Sequence, residues 1–236
     1  ADLLNRTNIS QPAIYTCSVA CWHGLYGADA APAVAAGLSL GEYTALHLAG
    51  AFSFEDGLRL VMKRGALMQQ AAESSKGSMV ALIGADEAQA NEVCARSIAA
   101  AGGCLVPANF NAPGQIIISG EKSRIAAAVA GAKERGMKKV MPLKVAGAYH
   151  SRLMEPARAA FAAFLAPIPF AAPRFTVFTN TTGAAISDPA AIKAALTSQV
   201  VSSVLWEDCM RAASAAASTL STSSGRWATN SARGAS

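Results

Sequence analysis

Metal and disulfide chemistry are the first things this 236-residue chain lacks. Cys17, Cys21, Cys94, Cys104 and Cys209 form no C-x-x-C pair, and with only three histidines they give no zinc pattern. They are expected to be buried, reduced thiols, with no metal bound. No apolar run approaches the ~20 residues of a membrane-spanning helix, which excludes an α-helical span. The opening ADLLNRTNISQP has neither the apolar stretch of a secretory signal nor the Arg-rich, acid-free character of a transit peptide. A targeting segment is therefore expected to be absent from this chain. The formal charge of +5 is moderate, and the basic residues are scattered without interleaved aromatics, which argues against a nucleic-acid surface. What the chain has is apolar mass: 52% hydrophobic content suffices for one domain, or one domain with an insertion.

Within that mass the pentapeptide Gly37-Leu38-Ser39-Leu40-Gly41 matches the G-x-S-x-G nucleophile elbow. Ala31 to Ala36 before it reads as a short buried strand, and Glu42 to Ala49 after it as a helix stopped by Gly50. Strand, turn and helix in that order expose a serine at the head of a sheet. Ser39 is thus a candidate covalent catalyst, and the backbone N–H of Leu40 a candidate oxyanion donor. The flanking glycines are expected to permit the strained turn.

Residues 79 to 145 read as a separate unit. The pattern predicts strand Met79 to Gly84, helix Glu87 to Ala101, strands Leu105 to Asn109 and Gln115 to Ser119, helix Arg124 to Arg135, and strand Lys138 to Val145. This βαββαβ order is ferredoxin-like. The expected fold is an α/β-hydrolase-like parallel-sheet core, residues 1–77 and 146–211, with an inserted ferredoxin-like subdomain at 78–145. The active site would lie in the cleft between them.

The stretch GLSLGEYTALHLAGAFSFEDGLRLVMKRGALMQQAA resembles the core of malonyl-CoA:acyl carrier protein transacylases. LLNRTNISQPAIYTCSVA is similar to the family's entry segment, NAPGQIIISG to its middle strand, VAGAYHSRLMEPA to its histidine segment, and QVVSSVLWED to its late loop. Leu38, where bacterial members usually carry His, resembles the plastid and cyanobacterial branch. The resemblance implies a malonyl-serine intermediate, coenzyme A thioester and acyl carrier protein as substrate and partner, no metal or redox cofactor, and type II fatty acid synthesis in a plastid stroma or bacterial-type cytoplasm. A single-module monomer is expected.

The resemblance also assigns residues. Ala146-Gly147-Ala148-Tyr149-His150-Ser151 is similar to the family's base motif, which makes His150 the general base that a weak serine nucleophile needs. Of the other histidines, His47 lies two turns down the helix from Ser39, and His23 is expected to be a partly buried structural residue. No Asp or Glu stands in a recognisable triad segment. In the family a backbone carbonyl orients the histidine, from a Gln matching Gln199; read alone, Gln199 is a polar residue of a surface loop. Arg64 matches the Arg that grips the malonyl carboxylate, a role suited to its planar fork and not to Lys63 beside it. Read alone, it is an exposed helix arginine. Tyr149 is expected to crowd carbon 2 of the acyl group and favour malonyl over methylmalonyl. Arg124, Lys133, Arg135, Lys138 and Lys139 are candidates for a basic face toward the carrier protein, or ordinary solvated charges.

Both ends depart from the family pattern. The opening strand and its Gly-Gln-Gly turn, whose Gln supplies a second oxyanion donor, are missing, a loss worth roughly 10²- to 10³-fold in kcat. Residues 212–236 carry no carboxylate and resemble a disordered or out-of-frame tail: codons for Leu220 to Arg226 can be chosen so that another frame reads Phe-Tyr-Glu-Leu-Gly-Pro, the family's motif. Two alternative readings follow: a serine hydrolase or thioesterase of the α/β-hydrolase kind, or a catalytically dead remnant that binds a carrier protein.

Overall fold

Apolar and small residues recur three and four apart through Gly57, Leu60, Val61, Gly65, Met68, Ala71 and Ala72, which gives one helix a buried stripe. That helix is central to the structure, a computed structural model that describes residues 2–27, 30–99, 102–134 and 139–224. In chain order the first unit holds α1 (Thr7–Tyr26), β1 (Val34–Ala36), α2 (Gly41–Leu48) and the central helix α3 (Phe54–Ser74). Ser53 caps α3 by accepting the Asp56 N–H at 3.0 Å. α1 lies against α3 at Gly65, where a Cβ would come within 2.8 Å of the Thr7 carbonyl oxygen.

The second unit holds β2 (Gly77–Ile83), α4 (Glu87–Ala99), β3 (Leu105–Ala112), β4 (Gln115–Glu121), α5 (Lys122–Glu134) and β5 (Lys139–Pro142). Its four strands lie in the order β3-β4-β2-β5, all antiparallel. Side chains of β2 alternate as a two-residue period requires: Val80 and Leu82 pack under α4 and α5, whereas Met79 and Ala81 face the other way with Ala108 and Ile117. The unit follows the βαββαβ order expected from sequence, with each element within a few residues of its place.

The chain then returns to the first unit through α6 (Glu155–Leu165), β6 (Thr176–Phe178), β7 (Ala185–Ile186), α7 (Pro189–Gln199) and α8 (Trp206–Ser224). β6 pairs parallel with β1, Val34 opposite Thr176, and antiparallel with the short β7. Tyr15, Tyr43, Leu60, Phe161, Val177 and Leu196 share the core around this sheet. The segment after α7 is tied to β3 by the Val204 N–H on the Ala108 carbonyl at 2.8 Å and by the Phe110 N–H on the Val204 carbonyl at 2.9 Å. Backbone bonds therefore join the two units beside the end of α7.

Four expectations need correcting. The core strand covers only Val34–Ala36, since Pro32 ahead of it has no N–H to give to a strand ladder. Cys17, Cys21 and His23 are exposed, because they lie off the face of α1 that buries Gln11, Tyr15 and Val19. Of the tail from residue 212, expected to be disordered or out of frame, the part as far as Ser224 is helical and so not irregular, in keeping with the alanines at 212, 213 and 215–217; residues 225–236 lie outside the described residues. Arg124 is half-buried and donates to the Ser97 carbonyl at 3.3 Å, so it is not a free surface charge. Lys139 is exposed, Arg135 and Lys138 lie outside the described residues, and the Lys133 side chain is likewise not described.

Candidate active site

Among the described residues only two non-glycine positions have positive φ: Ser39 at 49° and His150 at 56°. Such backbone is held in place only where surrounding structure over-determines it, and it concentrates at functional sites. At Ser39 the restraint is Asn180, just after β6. Its Oδ1 accepts the Ser39 N–H at 2.6 Å and its Nδ2 donates to the Gly37 carbonyl at 2.9 Å. A Cβ on Gly37 would overlap the Gly41 backbone, so this glycine is required by close approach. Gly41 has open space at its Cβ position; the expectation that both glycines serve the turn holds sterically for Gly37 alone.

Ser39 Oγ lies 2.9 Å from His150 Nε2. His150 Nδ1 lies 2.8 Å from the Gln199 main-chain oxygen, an acceptor only, so Nδ1 carries the proton and Nε2 presents its lone pair to the serine. Gln199 is the last residue of α7 and is buried, not set in a surface loop. A helix C-terminus leaves such a carbonyl free to accept. Burial pulls the His150 pKa down to about 4, with the Arg64 charge acting in the same direction and the Gln199 and Ser202 backbone hydrogen bonds opposing. A depressed value means the ring is neutral, and so basic, at all pH values above it. The rate of Ser39 acylation is therefore expected to stay level from about pH 8 to about pH 5 and to fall only as the ring protonates at lower pH. A midpoint near the ordinary histidine value, about 6.5, would contradict this placement.

Arg64 occupies the buried stripe of α3 and is 1% exposed. Its Nη1 donates to Gln11 Oε1 at 2.8 Å, and its Nη2 to Ser39 Oγ at 3.0 Å and to Gln199 Oε1 at 2.9 Å. Its Nε has no partner, and its guanidinium carbon lies 5.4 Å from the centre of the Tyr43 ring. No carboxylate is within ion-pair distance among the described residues. A buried cation whose direct partners beside the nucleophile are all neutral oxygens can take an anionic substrate group as a direct partner.

These side chains open onto a cavity of about 380 Å³ lined by Gln11, Leu38, Ser39, Arg64, Tyr149 and His150, with the exposed Lys144 at its edge. The half-buried Tyr149 hydroxyl is hydrogen-bonded to Thr7 Oγ1. Leu40 is the N-cap of α2, and its N–H makes no hydrogen bond among the described residues. One cavity thus brings together a serine hydroxyl, a neutral imidazole of fixed tautomer, a free backbone N–H and a buried cation, the set of groups that acyl transfer to or from a carboxylate-bearing substrate requires.

The sequence matches the acyl transferase domain over residues 1–225. The chain belongs to the acyl transferase domain family. It is 42% identical over 207 residues to a malonyl CoA-acyl carrier protein transacylase of Salmonella typhimurium, which covers 87% of this chain and 66% of that protein. The chain thus spans just under two thirds of the length of that curated relative. An acyl-carrier-protein S-malonyltransferase from Burkholderia pseudomallei superposes with a TM-score of 0.86 at 41% identity, covering 91% of this chain and 70% of that one. A type II PKS acyl-carrier protein in complex with its malonyl-transacylase matches with a TM-score of 0.81 at 39% identity, over 86% of this chain and 64% of that one.

In this acyl transferase domain Ser39, His150, Arg64, Tyr149, Leu40 and Gln199 stand around one cavity or directly behind it. His47 is turned away, its Nδ1 3.1 Å from the Phe52 carbonyl oxygen. Sequence reasoning missed Gln11, Asn180 and Glu42. Gln11 and Asn180 are isolated polar residues with no local signal. Glu42 lies inside the elbow's own helix start, where an acidic residue reads as ordinary first-turn charge.

Proposed function

We propose that this acyl transferase domain transfers a malonyl group from malonyl-CoA to the phosphopantetheine thiol of an acyl carrier protein. Ser39 Oγ attacks the thioester carbonyl while its proton passes to His150 Nε2. The Leu40 N–H receives the oxyanion, and Arg64 holds the free carboxylate. As the C–S bond breaks, His150 returns the proton to the leaving coenzyme A thiolate, and a malonyl-Ser39 ester remains. The carrier's thiol then loses its proton to His150, attacks the ester, and Ser39 recovers its proton. Gln199 acts through its carbonyl, holding the His150 ring in the productive tautomer. Tyr149, fixed by Thr7, bounds the space beside carbon 2.

The observation that carries this reading is the buried Arg64 guanidinium, 3.0 Å from the nucleophile and, among the described residues, with no carboxylate within ion-pair distance. The scheme uses no cofactor, and among the described residues no three His, Cys, Asp or Glu could hold a metal ion. The chain would serve type II fatty acid synthesis as a monomer, in a bacterial-type cytoplasm or plastid stroma. In the described residues no helix is long and apolar enough to cross a membrane. The test is intact-protein mass spectrometry after brief mixing with malonyl-CoA or acetyl-CoA. A malonyl adduct with little acetyl adduct is expected; equal adducts from both would contradict the assignment of Arg64.

A further inference from the structure

One carboxylate lies directly behind the elbow and has no part in the chemistry above. Glu42, the second residue of α2, is 1% exposed. Its Oε1 accepts from Thr179 Oγ1 at 2.7 Å, and its Oε2 accepts from the Asn180 N–H at 3.1 Å and from Gln199 Nε2 at 2.6 Å. Burial holds this carboxyl above its ordinary range, outweighing the Thr179, Asn180 and Gln199 hydrogen bonds and the Arg64 charge, which lower it; all three hydrogen-bonding neighbours donate to it, the arrangement an ionised carboxylate requires. The side chain of Gln199 faces two ways: its Nε2 donates to Glu42 and its Oε1 accepts from Arg64 Nη2. A single amide dipole is therefore aligned between a buried anion and a buried cation.

We propose that Glu42 is a specificity-determining residue which, acting through Gln199, moderates the grip of Arg64 on the substrate carboxylate. This rests on the reading of Arg64 given above. Two effects act with the same sign. A carboxylate arriving at Arg64 also approaches the charge of Glu42 through a poorly solvated region, where like charges repel strongly. In addition, Glu42, together with the Ser39 carbonyl that accepts from the same Nε2 at 3.0 Å, anchors the amide that keeps Gln199 Oε1 on Arg64 Nη2, the position a substrate oxygen has to take. Both weaken carboxylate binding in the resting site. A transferase benefits from such moderation, because binding that stabilises substrate and transition state equally adds nothing to turnover, and the malonyl group must leave Arg64 in every cycle.

A carboxylate with a purely structural role leads to the opposite expectation, since its loss can only loosen the site. Glu42→Gln separates the two. The new amide has the same shape, and it can accept from Asn180 and Gln199 through its oxygen and donate to Thr179 through its nitrogen. The measurement is the coenzyme A thioester concentration that half-saturates Ser39 acylation, read by rapid quench and intact mass, for malonyl-CoA and acetyl-CoA in parallel. For malonyl-CoA it is expected to fall about 10-fold in the variant, with no comparable fall for acetyl-CoA, which has no carboxylate. An unchanged or raised value for malonyl-CoA, an equal fall for both thioesters, or loss of the fold would each overturn the proposal. Failure of the unsubstituted chain to take up malonyl would instead overturn the reading of Arg64, and it shows before the variant is compared.

Discussion

Arg64→Ala is expected to slow acylation of Ser39 by malonyl-CoA by about 10²- to 10³-fold while changing the acetyl-CoA rate only a few-fold. Removing one partner of a buried, hydrogen-bonded charge pair costs about 2–5 kcal/mol, because the charge left behind has no solvent to replace it. Here the malonyl carboxylate is the group left behind. The guanidinium's three hydrogen bonds fix it at the floor of the cavity, so no neighbouring cation can take its place without rebuilding Gln11 and Gln199. Arg64→Lys should recover little, since an ammonium cannot offer two parallel donors to one carboxylate. Quenched-flow mass spectrometry with the two thioesters reads the result. Equal losses for malonyl and acetyl would mean that Arg64 supports the nucleophile and does not select the substrate.

The second large effect has the opposite signature. His150→Ala should lower acylation by both thioesters together, by about 10²- to 10⁴-fold, because proton removal from Ser39 Oγ is common to every acyl donor. Among the described residues the distances leave no substitute base: Arg64 is the other group that touches Ser39 Oγ, and it can only donate. The same assay, run with both thioesters, measures the loss. A reduction below about 10-fold would show that the imidazole contributes little as a base.

The elbow was legible from five residues, and the βαββαβ unit from periodicity alone, since both are local patterns. Arg64 also left a trace: it falls in phase with the apolar stripe of α3, where an exposed cation has no reason to be. What the sequence did not show was the wiring between distant segments. Asn180 clamps Ser39 from 141 positions away, and Gln11 reaches Arg64 across 53. Nothing in the neighbourhood of either residue marks it, because their partners are assembled only when β6 and α1 pack on the core. The exposure of Cys17, Cys21 and His23 was hidden for a related reason: polar and apolar residues are interspersed around α1, so its sequence carries no sign of which side faces water. Composition suggests a disordered or out-of-frame tail, whereas the alanines within it favour the helix that runs to Ser224.

Two-step transfer through Ser39 to a carrier thiol is the central claim, and a chase experiment tests it most directly. The chain is acylated with malonyl-CoA, freed of coenzyme A, and mixed with a holo acyl carrier protein while the mass of both proteins is followed. The account predicts that the malonyl group moves from the enzyme to the carrier's pantetheine thiol faster than it is lost to water. Accumulation of free malonate with the carrier left unmodified would contradict it and would identify the site as hydrolytic.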